Sequence, residues 1–296
     1  MLDLVRSDCG AVPLRIFFSF LFSIALAVSS CAARADEVTF PDLRDAVPGA
    51  EGVTYFDLAR LVLPDLEAAD GAWRGSQMIE TRHIGGANMG ASPSDEFAVH
   101  DAAVLPLRAD GRDRLALLFD LGRYADGAEG LALLALYEPG NAPALLDVAQ
   151  VGFDRYSGFR TPVGPALSAD DDLVLTASAH SNSNQTYMTS AMVMVRAGRL
   201  QLVDTVFTFG DRGCGYERVQ TPEFSVGASG GRAYADIVVR VTEATRLTDD
   251  ACDGAELPEE KQRRIEVIYR WDDAAARFVP DSDALERLAR ENETRF

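Results

Sequence analysis

Residues 169–210 read ADDDLVLTASAHSNSNQTYMTSAMVMVRAGRLQLVDTVFTFG, and this stretch decides the fold class. An apolar run at 172–179 leads into a polar segment. Two further runs follow, 188–196 and 200–209, joined by Ala197-Gly198. Runs of this length, rich in Val, Leu and aromatics and bounded by Gly, Asn or Asp, are strand signals. Connections this short make neighbouring strands antiparallel.

The same pattern extends outward. Strands are expected at 97–107, 114–121, 131–137, 144–151, 218–226, 233–242, 265–271 and 277–280, with a short candidate near 78–84. A unit of strand, loop, strand, tight turn, strand recurs at 114–151, 172–209 and 218–280 without a shared residue signature. Meanders of this kind build sandwiches, barrels and propellers alike. The expected fold is therefore all-β and antiparallel, with short peripheral helices near both ends. The first helix starts at Thr54 as N-cap, puts Tyr55, Leu58, Ala59 and Val62 on one face, and stops before Pro64. The second, 283–295, pairs Asp283 with Glu286 at capping-box spacing and carries Leu285, Leu288 and Ala289 on its apolar face. Between them, 85–94 (GGANMGASPS) reads as a mobile loop by composition.

The N-terminus sets the compartment. Arg6 and Arg15 flank an apolar run at 16–28, too short for a bilayer span of about 20 residues. Ala33-Arg34-Ala35 follows as an A-x-A site, so residues 1–35 read as a cleaved secretory signal. The competing reading is a lipoprotein signal, because Val28-Ser29-Ser30-Cys31 resembles a bacterial lipobox and would place a lipid anchor on Cys31. Both readings export the chain to the periplasm or beyond. The organisation is then a leader (1–35), an N-terminal helix with an irregular segment (36–96), and a β domain with its C-terminal helix (97–296).

Removing the leader leaves Cys214 and Cys252, which in an oxidising compartment are expected to pair. Closing that loop stabilises by roughly 4 kcal/mol on the chain-entropy estimate. The net charge of −18 is spread along the chain, which argues against nucleic acid and against docking on anionic lipid, and reads as a solubility device.

Familiar catalytic patterns fail on context. Gly227-Ala228-Ser229-Gly230-Gly231 matches G-x-S-x-G, but a strand is expected after it where a nucleophile elbow needs a helix. Asp249, Asp253, Gly254 and Glu260 fall at four positions of a calcium loop whose other ligands are missing. Asp170-Asp171-Asp172 reads as a turn and polar edge. His83, His100 and His180 have no metal-site spacing, and no nucleotide-binding glycine motif is present, so no metal and no cofactor is expected. A Ser/His/Asp triad assembled in space stays open at this point.

One segment stands out. His180, Asn182, Asn184, Gln185 and Tyr187 crowd amides, an imidazole and an aromatic ring into one connection. Such groups suit a neutral polar ligand such as a glycan or peptide. Asn and Ser also satisfy their own turn backbone, which is the structural alternative. The expected role is a non-catalytic, ligand- or partner-binding envelope protein. The alternative is a secreted hydrolase using carboxylates that only the fold can bring together.

Overall fold

The computed structural model describes residues 37–89, 96–99, 102–123, 130–250, 252, 254 and 256–295. The expected leader at 1–35, His100, Tyr124 and Asp253 lie outside them, as do residues 90–95 of the glycine-rich loop. The elements run α1 (Tyr55–Arg60), β1 (Glu67–Ala69), β2 (Ala72–Gly75), β3 (Arg82–His83), β4 (Phe97–Val99), β5 (Ala103–Ala109), β6 (Arg112–Arg123), β7 (Gly130–Glu138) and β8 (Ala144–Gln150). They continue through β9 (Tyr156–Phe159), β10 (Leu173–Ser181), β11 (Gln185–Arg196), β12 (Arg199–Gly213), β13 (Tyr216–Val226), β14 (Ile237–Leu247), β15 (Lys261–Asp272), β16 (Arg277–Pro280) and α2 (Ala284–Glu293).

Three sheets result: β1-β2-β4, the five-stranded β3-β8-β7-β6-β5, and the eight-stranded β16-β15-β14-β13-β12-β11-β10-β9. The all-β antiparallel expectation holds in a sandwich-like form, with one short parallel contact between β3 and β8. The run expected as one strand at 97–107 is two, because β4 pairs with β2 and β5 with β6 in a different sheet.

β7 explains the layering. It is buried along both faces from Gly130 to Tyr137. Leu131, Leu133, Ala135 and Tyr137 pack against the segment 43–66, including Leu58 of α1. Ala132, Leu134 and Leu136 face Val174, Ala191 and Val193 of the large sheet. A strand buried on both sides reads as a continuous apolar run, as its sequence does. Tyr137 donates its hydroxyl to the Leu58 carbonyl at 2.8 Å, satisfying the one polar atom this ring buries. Thr54 caps α1 reciprocally: its Oγ1 accepts from the Asp57 amide and its own amide donates to Asp57.

The eight-stranded sheet splits and rolls. β13 pairs with β14 over its whole length but with β12 only through Tyr216, Glu217 and Arg218. Beyond that corner a third apolar cluster joins Leu175, Met192 and Met194 to Val239, Val241, Val267 and Trp271 from the far half of the same sheet. Tyr269 of β15 donates to Asp204 of β12 at 2.7 Å, and Arg160, just after β9, reaches the Pro222 carbonyl of β13 at 2.6 Å. Strands three and more places apart in the sheet order thus meet. The Cys214–Cys252 disulfide is present at the β12–β13 corner.

α2 closes the roll. Leu285 and Leu288 enter the apolar cluster, and Asn292 is fully buried. The capping box expected at Asp283 and Glu286 does not form, because the Asp283 carboxylate engages Arg287 instead. What holds the helix is polar. Asn292 donates to Gln220 at 2.9 Å, Gln220 donates to Glu243 at 2.6 Å, and Arg263 and Arg295 donate to Glu243 at 3.0 and 2.8 Å.

Glu243 is 1% exposed. Burial alone would raise its pKa, but the hydrogen bonds from Arg295, Gln220 and Arg263 win and hold it at about 2, below the ordinary 4.5. Such a shift corresponds to about 3 kcal/mol. It is fully present above the unfolded value and is lost as pH falls from 4.5 toward 2. Denaturant unfolding of wild type and Glu243→Gln is expected to show a stability gap that narrows by about 3 kcal/mol between about pH 5 and about pH 2. A pH-independent gap contradicts this assignment.

Candidate functional site

The polar segment at 180–187 is mostly strand. β10 runs to Ser181 and β11 begins at Gln185, so only Asn182-Ser183-Asn184 forms the hairpin tip. Asn182 organises it. Its Oδ1 accepts from the amides of Asn184 (3.1 Å) and Gln185 (2.9 Å), and its Nδ2 donates to Gln185 Oε1 (3.0 Å). Tyr187 donates its hydroxyl to the same Gln185 oxygen at 2.5 Å. These bonds fulfil the structural alternative for Asn182 and Gln185: they complete the turn's own polar groups.

His180 and Tyr187 stand opposite each other in the β10–β11 register. Their rings stack at 4.4 Å and 8°, and Phe209 meets Tyr187 edge-on at 5.2 Å. His180 Nδ1 lies 2.6 Å from both carboxylate oxygens of Asp154, so Nδ1–H donates and the ring is oriented. Asp154 is a partner that sequence inspection missed. Its signal was indirect: Gly130 and Gly152. A Cβ at either would overlap a carbonyl of the other chain segment, so their absence lets 152–155 lie against β7. The Gly130 amide donates to the Asp154 carbonyl at 2.9 Å, which fixes Asp154 beside β10.

The pair does not extend to a Ser/His/Asp triad among the described residues. Ser178, on the same face two residues before His180, is fully buried, takes the Phe153 amide at 3.1 Å and shares 2.8 Å with Ser157. Both serines are tied into structure, and among the described residues the hydrogen bonds of their hydroxyls go to the backbone and to each other. His83 is structural too. It is buried, its Nδ1 accepts from the Gly85 amide (3.0 Å), and its Nε2 donates to the Gly152 carbonyl (2.9 Å). No cluster of metal-ligating side chains occurs among the described residues. Asp171 and Asp172 accept amides of Asp110 and Arg108 at 2.8 and 2.7 Å, which uses their oxygens for the backbone. Ser229 sits in the loop between β13 and β14, with no helix behind it.

A groove of about 350 Å³ opens where β13 leaves β12. The hairpin tip, with Asn182, Asn184 and Gln185, forms one end; Thr186, Met188 and Thr208 form a wall; Val219 stands across from them. Side chains alternate along a strand, so Thr186 and Met188 face the groove while Tyr187, with its partner His180, faces the other way. The structure therefore puts Asn182, Asn184 and Gln185 at the groove and His180 and Tyr187 outside its lining, with the Tyr187–Gln185 hydrogen bond linking the two sets. The Gln220 side chain and the Phe209 backbone form the floor, joined by a 3.0 Å bond from the Phe209 amide to Gln220 Oε1.

Both arginines of the groove are paired with acids, and Glu217 adds a further carboxylate to its lining. Arg218 pairs with Asp211 at 3.4 Å, and Arg212 with Asp250 at 2.8 Å. The rest of the lining is mainly hydroxyl, amide and apolar surface. A scan of family models, a search of curated proteins and a search of solved structures each found no match for this chain.

Asn182→Ala is expected to cost about 1–2 kcal/mol, because it strips two turn amides of their acceptor. Asn184→Ala, whose side chain makes no bond within the turn, is expected to stay within about 0.5 kcal/mol. Thermal unfolding of the two variants checks the order, and equal effects contradict it.

Proposed function

We propose that this is an exported, non-catalytic envelope protein that binds a polar, largely uncharged ligand or partner segment in the groove between the β10–β11 hairpin and β13. One observation carries the reading: both arginines of the groove are held by acids, and apart from Glu217 the lining consists mainly of amides and hydroxyls beside Met188 and Val219. A ligand with both polar rims and apolar faces, a glycan or an extended peptide, matches such a surface. The compartment is argued from the export signal. The disulfide agrees with it, and no described helix is long and apolar enough to cross a membrane. A lipid on Cys31 would tether the same body to a membrane.

A second reading, hydrolysis of glycan or peptide, draws on the oriented His180–Asp154 pair, whose imidazole is 21% exposed. That pair lies on the face of β10 and β11 turned away from the groove. Amide NMR titration with chitotetraose and with acetyl-tetra-alanine amide separates the two. The binding reading predicts shifts at Asn184, Thr186 and Val219 with no product formed. Shifts gathered at Asp154 and His180, or cleavage of either probe, would overturn it.

A further inference from the structure

We propose that the groove ends in a carboxylate subsite built on Arg160, and that its ligand is an extended peptide with a free C-terminus. The proposal rests on the groove reading above and names the ligand class.

The path is laid out by β13. Its pairing with β12 stops at Arg218, so from Val219 onward only the β14 side of the strand is paired with a neighbour. The groove starts at that point, and Pro222, three residues further along the edge, has its carbonyl taken by Arg160 Nη2 at 2.6 Å. An added strand finds main-chain partners along such an edge only until something blocks it. Here the block is a proline with a guanidinium seated on it, so a docked segment has to terminate there.

Arg160 differs from the other arginines in contact with this region. Arg212 and Arg218 have carboxylate partners, and so does Arg263 behind the floor. Arg160 has none among the described residues. Its Nη1 contacts Ser190 Oγ at 3.4 Å and the sulfur of Met188 at 3.5 Å, and its guanidinium lies 5.2 Å from the centre of the Phe224 ring. Met188 is itself a wall of the groove. Desolvation lowers the pKa of Arg160, the mark of a cation placed in poor solvent without a counter-charge. Of its five N–H donors, three have acceptors, which leaves Nε–H and one Nη2–H. Two such donors take a carboxylate in a forked pair, the geometry for which arginine is suited. In a chain of net charge −18, a partly buried arginine without an acid is a costly arrangement that a bound anion relieves.

The test is calorimetric titration with acetyl-tetra-alanine bearing a free C-terminus and with the same peptide amidated. The free acid is expected to bind wild type at least about tenfold more tightly, the scale of one charge-assisted pair. Arg160→Gln is expected to bring the acid down to the affinity of the amide and to leave the amide unchanged, and Arg160→Lys to keep part of the difference. Equal affinity of acid and amide for wild type overturns the carboxylate subsite and leaves the groove standing. Binding of chitotetraose in the groove with neither peptide bound overturns the peptide assignment. Absence of binding by all three probes overturns both the subsite and the groove reading. The wild-type comparison decides the matter even if a variant fails to fold.

Discussion

Two sheets with apolar faces gain from contact in many relative positions, and dispersion alone does not select one. In this protein aspartate side chains of one sheet accept backbone amides of the other. Asp110, in the β5–β6 turn, takes the amides of Ala197 and Gly198 at 2.9 and 2.7 Å. Asp147 of β8 takes Leu200 at 2.8 Å, and Asp120 of β6 takes Ser157 at 3.1 Å. Asp171 and Asp172 return the arrangement from the large sheet onto the β5–β6 turn. Each is directional, and a carboxylate acceptor makes a bond worth roughly 1.5–3 kcal/mol. Together they fix where the large sheet lies on β7. They also hold Ala197 at φ 51°, a left-handed conformation that alanine adopts only under constraint.

The rolled half of the large sheet follows from that placement. With β10–β12 pinned over the five-stranded sheet, their other face needs cover, and β13–β15 supply it by turning at the disulfide-bonded corner. The turn leaves the β13 edge open, and Gln220 fills the inner side of the gap by bonding to β12, to Glu243 and to α2 at once. A half-satisfied polar network would cost more than an apolar core. This one is closed by two arginines, one of them the penultimate residue. The groove is the outer side of the same gap, so its shape depends on both the inter-sheet aspartate bonds and the Gln220–Glu243–Asn292 network.

Much of this was legible in the sequence, and the limits have physical reasons. The strands with a double apolar face or clean alternation, such as β7 and β14, show through composition alone. Thr54 announced α1, and the cysteine pair was expected from the export reading of the N-terminus and is present. The three-residue hairpin tip was hidden because Thr186 and Gln185 look like loop residues while the backbone ladder carries them into β11. Asp283 misled because a nearby arginine competes for its carboxylate. The acidic composition, read as surface solubility, conceals the inter-sheet acceptors: no local pattern tells an aspartate that binds an amide 87 residues away from one that binds water. The groove shares that difficulty. Asn182 and Asn184 are visible as unusual residues, whereas Val219, Arg160 and Asp154 acquire meaning only from the split of β12 and β13 and from the glycines at 130 and 152.

The most direct test of this account is amide hydrogen exchange in wild type and Asp110→Ala. The Asp110 bonds predict that the amides of Ala197 and Gly198 are protected in the wild type. In the variant they should lose that protection, as the β11–β12 turn comes away from the five-stranded sheet, with a global stability loss of roughly 1–3 kcal/mol. Unchanged protection at both amides together with unchanged stability would show that the apolar faces alone set the position of the two sheets.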